Sequence, residues 1–143
     1  MRSVPSHLRS PRCVLDRCNR NGYSRHRVKI EPEDHLPLTP AVFHILLALG
    51  EGEKHGYAIM KEVLQNTDGQ MQMGPGTLYG TVGRMISAKL IEESDERPDP
   101  ALDDQRRRYY RATAFGQQVA AAEAKRLERL VKLARRKQLL ARA

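Results

Sequence analysis

Residues 74–85, with the sequence GPGTLYGTVGRM, combine four glycines with hydroxyl side chains and one arginine. Because glycines let a backbone approach a phosphate group closely, a nucleotide-binding loop is one chemistry that this segment could serve. The spacing of the glycines matches neither a GxGxxG fingerprint nor a P-loop, and no strand-helix-strand pattern surrounds them. Apolar residues instead recur at helical intervals, at Leu78, Val82, Met85 and Ile86. The pattern therefore predicts a helix.

The start of this helix suits an anionic partner. With Gly74 at or near the N-cap and Pro75 at the first helical position, unpaired N–H groups and the positive end of the helix dipole are exposed. Such a terminus can bind a DNA phosphate. The non-core face then carries hydroxyl groups and a guanidinium, from Thr77, Tyr79, Thr81 and Arg84. The same side chains are also compatible with the solvated face of an ordinary helix.

Charge is distributed unevenly along the 143 residues. The formal net charge of +8 and the isoelectric point of about 9.9 favour a polyanionic partner. Residues 1–37 carry eight Lys or Arg against four Asp or Glu, residues 38–116 carry nine against eleven, and residues 117–143 carry eight against two. Because the middle of the chain is slightly acidic, a DNA-binding surface there depends on local clusters. One such cluster is Arg106, Arg107 and Arg108.

Other function classes find little support in the sequence. The serines lie outside any nucleophile-elbow pattern, and the histidines do not pair with carboxylates at metal-ligand spacing. The N-terminal cysteines and histidines, which could in principle assemble a zinc site, are Cys13, Cys18, His7, His26 and His35. Their spacing matches structural zinc motifs poorly. Neither a secretion signal nor an apolar run of roughly 18 residues is present. We therefore expect a soluble, cytoplasmic non-enzyme without metal or cofactor.

The first helix is predicted to begin after Thr39, a favourable N-cap, with Pro40 at the first helical position. It is apolar around most of its circumference, so burial by its own domain and by a second subunit is expected. A second helix is predicted over residues 56–66, followed by a turn and a strand stub at residues 70–73.

A hairpin is predicted next, with KLIEES and RRRYYRA as strands joined by a loop rich in Pro and Asp. Alternation places Tyr110 and Ala112 toward the core and leaves Arg107, Tyr109 and Arg111 outermost. Thr113 then caps a long helix that runs to about residue 138 and reaches roughly 35 Å. Its apolar stripe is longer than the preceding unit can cover, so it needs another chain.

This element order is that of a winged helix-turn-helix, in which the third helix enters the major groove and the hairpin reaches flanking phosphates. The predicted fold is mainly α with a small β-wing and a long C-terminal dimerisation helix. Residues 38–112 form the DNA-binding domain, and residues 113–143 form the dimerisation helix with its basic tail. Residues 1–37 are expected to be a basic, disordered extension, with a phosphate-binding arm or an early start codon as alternatives.

Five segments together resemble the PadR family of bacterial transcriptional regulators, namely LTPAVFHILLAL, HGYAIMKEV, GPGTLYGTVGRM, LIEE and RRRYYRAT. The resemblance covers about residues 36–137. It implies a winged helix-turn-helix, a homodimer built through the first and C-terminal helices, and repression of a promoter until an effector or stress signal releases it. The implied partners are double-stranded DNA, a second copy of the chain and a small hydrophobic or aromatic effector, but no membrane.

By position, the resemblance also implies residue roles. DNA contacts are expected from Gly76, Thr77, Tyr79, Thr81 and Arg84 on the third helix, from Tyr57 and Lys61 near the DNA backbone, and from Arg106, Arg107 and Arg108 in the wing. The implied dimer interface comprises Val42, Phe43, Leu46, Leu127, Leu130, Val131 and Ala134. An effector pocket would lie in this interface, beside Phe43 and Leu127.

Gly80 and Gly83 stand where members of the PadR family commonly carry basic residues. Each glycine lowers helix stability by up to about 1 kcal/mol relative to alanine, and each removes a potential cationic contact. Weaker or narrower DNA binding is therefore one hypothesis. An alternative is a winged-helix protein-interaction module with weakened DNA reading. A MarR-like regulator is disfavoured because its flanking helices would be longer.

Overall fold

The structure is a computed structural model that describes residues 30–95 and 108–140. This part of the chain contains four α-helices and three short strands. Their bounds are α1 Pro40–Ala48, β1 Lys54–His55, α2 Gly56–Asn66, α3 Pro75–Ser87, β2 Ile91–Ser94, β3 Tyr109–Ala112 and α4 Ala114–Arg136. The prediction of a mainly α fold with a small β-wing and a long C-terminal helix is confirmed.

α1 begins where the sequence predicts. The Thr39 hydroxyl accepts a hydrogen bond from the Val42 N–H at 3.4 Å, and Pro40 occupies the first turn. The helix ends in the 3₁₀ turn Leu49–Glu51. Gly52 follows with φ of 138°, a conformation that side chains rarely adopt, and this residue turns the chain into β1.

α2 and α3 pack against each other through a turn that Thr67 holds together. The Thr67 hydroxyl donates to the Val63 carbonyl at 2.8 Å and accepts from the Met71 N–H at 3.0 Å. Asp68 and Gly69 both have positive φ, which lets the chain reverse direction. The predicted bounds of α2 are confirmed, since the helix spans Gly56–Asn66.

One strand prediction is wrong. Residues 70–73 contain no strand, and they connect α2 to α3 with Met73 as a buried anchor. The short strand lies before α2 instead, where Lys54 pairs with Tyr110 and His55 pairs with Tyr109 of β3. An alternation of only four residues identifies a strand weakly, and here the pairing partner decided the location.

The sheet has the order β1-β3-β2, with both pairings antiparallel. In the hairpin, Ile91 lies opposite Ala112 and Ser94 opposite Tyr109. The predicted loop between the strands lies outside the described residues, and so do Arg106 and Arg107 of the predicted second strand. The hairpin prediction is confirmed for its two strands.

The expected outward orientation of Tyr109 is wrong, because Tyr109 and Tyr110 are both buried. Tyr110 packs in the main core. Tyr109, on the opposite face of β3, meets the His55 ring edge-on at a centroid distance of 5.5 Å. β1 thus covers the side of the hairpin that alternation alone assigns to solvent.

The first turn of α4 packs closely against the backbone of Leu90, the residue before β2. The Thr113 hydroxyl caps α4 by accepting from the Gly116 N–H at 2.9 Å. A Cβ atom on Gly116 would lie 1.9 Å from the Leu90 carbonyl oxygen, so only glycine fits at this position. Val119, one turn later, is fully buried in the core. The predicted cap and the predicted length of this helix are confirmed to within two residues.

Order begins earlier than the predicted boundary at residue 38. A 3₁₀ turn, Pro32–His35, packs on α4, where the rings of His35 and Phe115 meet at 5.4 Å. The expectation of disorder is therefore wrong for residues 30–37. No periodic pattern reveals so short a turn, which depends on the hydrogen bond from the Glu31 N–H to Asp34 at 2.9 Å and on packing against α4. Residues 1–29 lie outside the described part of the chain.

Candidate nucleic-acid interface

α3 presents the start that the sequence predicts, with Gly74 at the N-cap and Pro75 in the first turn. Leu78, Val82 and Met85 are buried and hold the helix against the core. On the opposite side, Thr77 and Arg84 are exposed and the Tyr79 side chain is 52% exposed. The helix therefore offers its N-terminal N–H groups, two hydroxyl groups and a guanidinium to a partner.

Thr81 does not belong to this exposed face. Its side chain is only 2% exposed, and its hydroxyl donates to the Thr77 carbonyl at 2.8 Å. The same oxygen accepts a hydrogen bond from Arg84 Nη2 at 3.2 Å. The expectation that Thr81 touches DNA is wrong, because helical periodicity brings it beside Leu78 and Met85. It positions the guanidinium of Arg84 instead.

One exposed row of residues along α3, called the bare line below, carries almost no side chains. Gly76, Gly80, Gly83 and Ser87 follow one another at helical intervals on this line, and all are exposed. A Cβ atom on any of the three glycines would find nothing within 4 Å. A Cβ atom at Gly80 or Gly83 therefore points into open space. The side-chain groups that can contact a partner lie beside the bare line, chiefly the Thr77 hydroxyl and the Arg84 guanidinium.

α2 contributes an aromatic and a cationic side chain next to α3. Tyr57 is 67% exposed and stacks on the His55 ring at a centroid distance of 6.4 Å. Lys61, one turn further, is exposed and makes no ion pair with any residue that the structure describes. α2 approaches α3 closely at Gly56, where a Cβ atom would lie 2.8 Å from Tyr79 Oη. Both elements thus lie on one continuous surface.

The two wing arginines that the structure describes, Arg108 and Arg111, form ion pairs with carboxylates. Arg108 Nη1 lies 3.0 Å from Glu93 Oε1. Arg111 Nε lies 2.7 Å from Glu92 Oε1, and its Nη1 lies 3.5 Å from Glu53 Oε1. These ion pairs were not predicted from the sequence, although two adjacent glutamates in one strand of the hairpin and several arginines in the other indicate such pairing.

Part of the predicted dimer interface is available at the surface of the single chain. Val42 and Phe43 of α1 are half-buried, and so are Leu127 and Ala134 of α4. Leu130 and Val131 are exposed, and so are two apolar neighbours that the prediction omitted, Leu47 and Leu133. Leu46 is the exception, since it is buried in the core of its own subunit. Its expected role as an interface residue is wrong, because α1 turns it inward.

A buried carboxylate that the sequence analysis missed joins α4 to the chain before α1. Glu123 is 2% exposed, and Arg126 donates to both of its oxygens at 2.7 Å. The hydrogen bonds and charge of Arg126, assisted by the Leu38 backbone, hold the pKa of Glu123 below its usual value. An acidic residue within the apolar stripe, at i−4 from Leu127, was the available signal.

A cavity of about 250 Å³ opens between the chain before α1, α1 itself and α3. Its lining is mostly apolar and includes Leu38, Val42 and Met85. His35 and Arg84 add the two side chains that can carry positive charge. The cavity therefore adjoins the guanidinium of the exposed helix face. It does not include Phe43 or Leu127, where the effector pocket was expected.

A metal site and a membrane-spanning helix are both absent from the described residues. No group of three or more His, Cys, Asp or Glu side chains in that part of the chain could hold a metal ion. Within the same residues, no helix is both long and apolar enough to cross a membrane.

The chain has a winged helix-turn-helix fold. α1, α2 and the exposed α3 are followed by the β2–β3 hairpin, which is the wing. Residues 45–122 match the transcriptional regulator PadR-like family, and the chain belongs to this family. The resemblance inferred from the sequence motifs is thereby confirmed. Because the family consists of transcriptional regulators, the protein is a regulator and not an enzyme.

Similar proteins agree with this assignment. The chain is 31% identical over 86 residues to an uncharacterised 37.1 kDa protein in transposon TN4556 of Streptomyces fradiae, a match that covers 60% of the chain and only 22% of that relative. The chain therefore spans about a fifth of that relative's length. A transcriptional regulator from Clostridium thermocellum is 26% identical, with a TM-score of 0.56 and coverage of 67% of this chain and 87% of the other.

A PadR family transcription regulator from Clostridium difficile R20291 has the same fold, with a TM-score of 0.57. The two chains are 21% identical, and the match covers 68% of this chain and 97% of the other.

Proposed function

We propose that the protein is a dimeric, sequence-specific DNA-binding transcriptional repressor. The observation that carries this proposal is the exposed face of α3, which combines a free helix N-terminus with Thr77, Tyr79 and Arg84 beside Lys61. A helix held down by buried apolar residues and exposed along its other side has the shape that enters a major groove. Membership of a family of transcriptional regulators supports the same proposal.

Each contact has a distinct chemical role in this proposal. The N–H groups at Gly76 and Thr77 and the helix dipole bind a phosphate group. Arg84, oriented by Thr81, donates hydrogen bonds to a base edge, for which guanine is the preferred acceptor. Lys61 and the Tyr57 hydroxyl contact phosphates next to the groove. Arg106, Arg107 and Arg108 in the wing remain proposed phosphate contacts.

We propose that two copies of the chain pair through α1 and α4. The exposed apolar side chains along these helices, from Leu47 on α1 to Leu130 and Val131 on α4, support this pairing. Surface of this kind on one helix is costly to leave in water. A two-fold dimer would present its two α3 helices to half-sites about 34 Å apart.

We propose that a small hydrophobic or aromatic effector, or a stress signal, relieves the repression. The cavity of about 250 Å³ beside Arg84 supports this step, because a ligand there would contact the same guanidinium that is proposed to read DNA. Its volume lies just below the range of about 300–1,000 Å³ that is usual for ligand pockets, so only a small ligand would fit. Thermal unfolding with small aromatic compounds, repeated on Ala88→Leu to fill the cavity, measures whether ligands bind there.

The experiment that tests the proposed function is a fluorescence anisotropy titration of the full chain with DNA from upstream of its own gene, at several salt concentrations. Tight binding that weakens steeply with salt is expected. Selection of bound sequences from random duplexes then identifies the operator. A folded dimer that binds no duplex, or binds without salt dependence, contradicts the proposal.

The alternative is a winged-helix protein-interaction module with weakened DNA reading. The bare line of Gly80 and Gly83 favours this reading, because it lacks the basic residues common in the family. In the double variant Gly80→Arg with Gly83→Lys, both added Cβ atoms lie in open space. If that variant gains operator binding that the natural chain lacks, the alternative is supported. Discrimination of one operator from random DNA by the natural chain excludes it.

A further inference from the structure

Two carboxylates of β2 form ion pairs with the two arginines that the structure describes in the wing. In the antiparallel register, Glu92 faces Arg111 across the sheet. Their side chains form an ion pair with Nε and Oε1 2.7 Å apart. Arg108, the residue before β3, pairs diagonally with Glu93 at 3.0 Å, since Glu93 itself lies opposite Tyr110. Each described wing arginine therefore already has an anionic partner within its own hairpin.

Arg111 is held from both of its neighbouring strands. Glu53, next to β1, places Oε1 3.5 Å from Arg111 Nη1, and its side chain is only 17% exposed. Because β3 lies between β1 and β2, Glu53 and Glu92 approach the guanidinium from opposite sides. A phosphate group that binds Arg111 must displace or tolerate both carboxylates.

The composition of the whole hairpin agrees with these contacts. Residues 91–112 contain seven acidic residues against five arginines, a net charge of −2. By contrast, Lys61 and Arg84 form no ion pair with the residues that the structure describes. The hairpin segment thus carries no net positive charge to attract a polyanion, although its sequence is rich in arginine.

We propose that Glu92 and Glu93 set the DNA affinity of this protein by holding Arg111 and Arg108 away from phosphate groups. This inference rests on the proposed DNA-binding function. Exposed ion pairs are weak, so DNA can exchange a carboxylate for a phosphate at each arginine, but every exchange lowers the net gain. The two glutamates therefore act as affinity-limiting residues, and α2 and α3 supply most of the binding.

The test compares a variant that carries both Glu92→Gln and Glu93→Gln with the natural chain. Both are titrated by anisotropy with the selected operator between about 50 and 300 mM salt, a range over which counterion release changes affinity strongly. Glutamine keeps the shape of glutamate and removes its charge. We expect affinity to rise by up to about fivefold for each released arginine, the equivalent of one exposed ion pair. The plot of log affinity against log salt should steepen by about 0.9 for each arginine that reaches a phosphate.

Glu128→Gln is the matched control. Glu128 forms an equally exposed ion pair, 2.7 Å from Lys132, but on α4 rather than on the wing. Its removal changes the net charge by one unit without freeing a wing arginine. If the wing variant changes affinity and slope per charge no more than Glu128→Gln does, the inference is overturned.

A double-mutant cycle separates release of an arginine from a general effect of charge. Glu93 and Arg108 suit the cycle because their side chains are 49% and 72% exposed, so neither substitution should disturb folding. The gain from Glu93→Gln must vanish when Arg108→Ala is also present. A gain that persists without Arg108 contradicts the inference. Failure of the proposed function is a different result, in which the natural chain binds no duplex at any salt concentration.

Discussion

The hydroxyl oxygen of Tyr79 lies 2.8 Å from the position that a Cβ atom on Gly56 would occupy. Leu78 Cδ2 lies 3.1 Å from the same position. This close approach sets the distance between α2 and α3 at the point where both helices are exposed. The geometry of the candidate interface therefore depends on a glycine that itself contacts no partner.

The variant Gly56→Ala should destabilise the protein by about 1 kcal/mol, the low end for an added methyl group, because the half-exposed Tyr79 side chain can move away. Urea unfolding followed by circular dichroism measures the change. Gly80→Ala is the control on the neighbouring helix, where nothing lies within 4 Å. It should stabilise the protein by up to about 1 kcal/mol, since alanine favours a helix. Equal effects of the two substitutions would show that the contact with Tyr79 is unimportant.

The variant Arg84→Ala should weaken operator binding by about 1–3 kcal/mol and relax the preference at one base position. Lys61→Ala should weaken binding to all sequences alike and reduce the salt slope by about 0.9. Lys125→Ala, on the exposed side of α4, is the control and should leave the slope unchanged. Anisotropy titrations with operator and scrambled duplexes distinguish these effects. A loss of the same size on both duplexes for Arg84→Ala would exclude base reading.

The Glu123 carboxyl predicts a pH dependence of stability. Its pKa in the folded chain is lowered from the ordinary value of 4.5, chiefly by the hydrogen bond from Arg126. A lowered pKa contributes stability that is present above pH 4.5 and is lost as the pH falls through the folded value. Glu123→Gln should therefore lower stability at neutral pH and flatten its decline below pH 4.5.

The control for this prediction is Glu128→Gln. The pKa of Glu128 is also lowered by its partner Lys132, but the pair lies on the surface of α4. Surface ion pairs contribute little, so this variant should unfold nearly as the natural chain does. Thermal unfolding between pH 3 and pH 7, roughly the range over which carboxyl groups titrate, gives the comparison. Identical profiles for both variants would remove the special role of Glu123.

The variant Leu130→Asp should convert a dimer into a monomer, because it places a charge in the middle of the apolar face of α4. Leu130 is exposed in the single chain, so the fold of each subunit should persist. Leu64→Asp is the control, since Leu64 is exposed on α2, outside the proposed interface. Analytical ultracentrifugation measures the oligomeric state. A natural chain that is already monomeric at micromolar concentration contradicts the proposed pairing.

Local signals explain why the helices were predictable. Thr39, Gly74 and Thr113 precede their helices as N-caps, and the bond from Gly116 to Thr113 shows the expected geometry. Each of these signals acts within about four residues of chain, so no distant contact is needed to interpret it. The periodicity of Leu78, Val82 and Met85 likewise identified the buried face of α3.

Several site assignments failed because burial depends on what packs from elsewhere in the chain. Tyr109 is expected on the outer face of the wing by alternation, but β1 covers it through His55. Thr81 is polar by composition, yet it lies between core residues and satisfies its hydroxyl within α3. Leu46 lies on the same apolar helix as the exposed Leu47. The way α1 packs on the core decides that Leu46 is buried and Leu47 is not.

The sequence by itself determined the helix caps, the order of the helices and the hairpin, and the family, because all three depend on short motifs and local periodicity. The tertiary structure decided which of the predicted contact residues are free to act. It placed Glu92 against Arg111 and Glu123 against the backbone of Leu38, pairs that lie 19 and 85 positions apart in the chain. Electrostatic partners at such separations follow from strand register and helix docking, and no local pattern of residues specifies them.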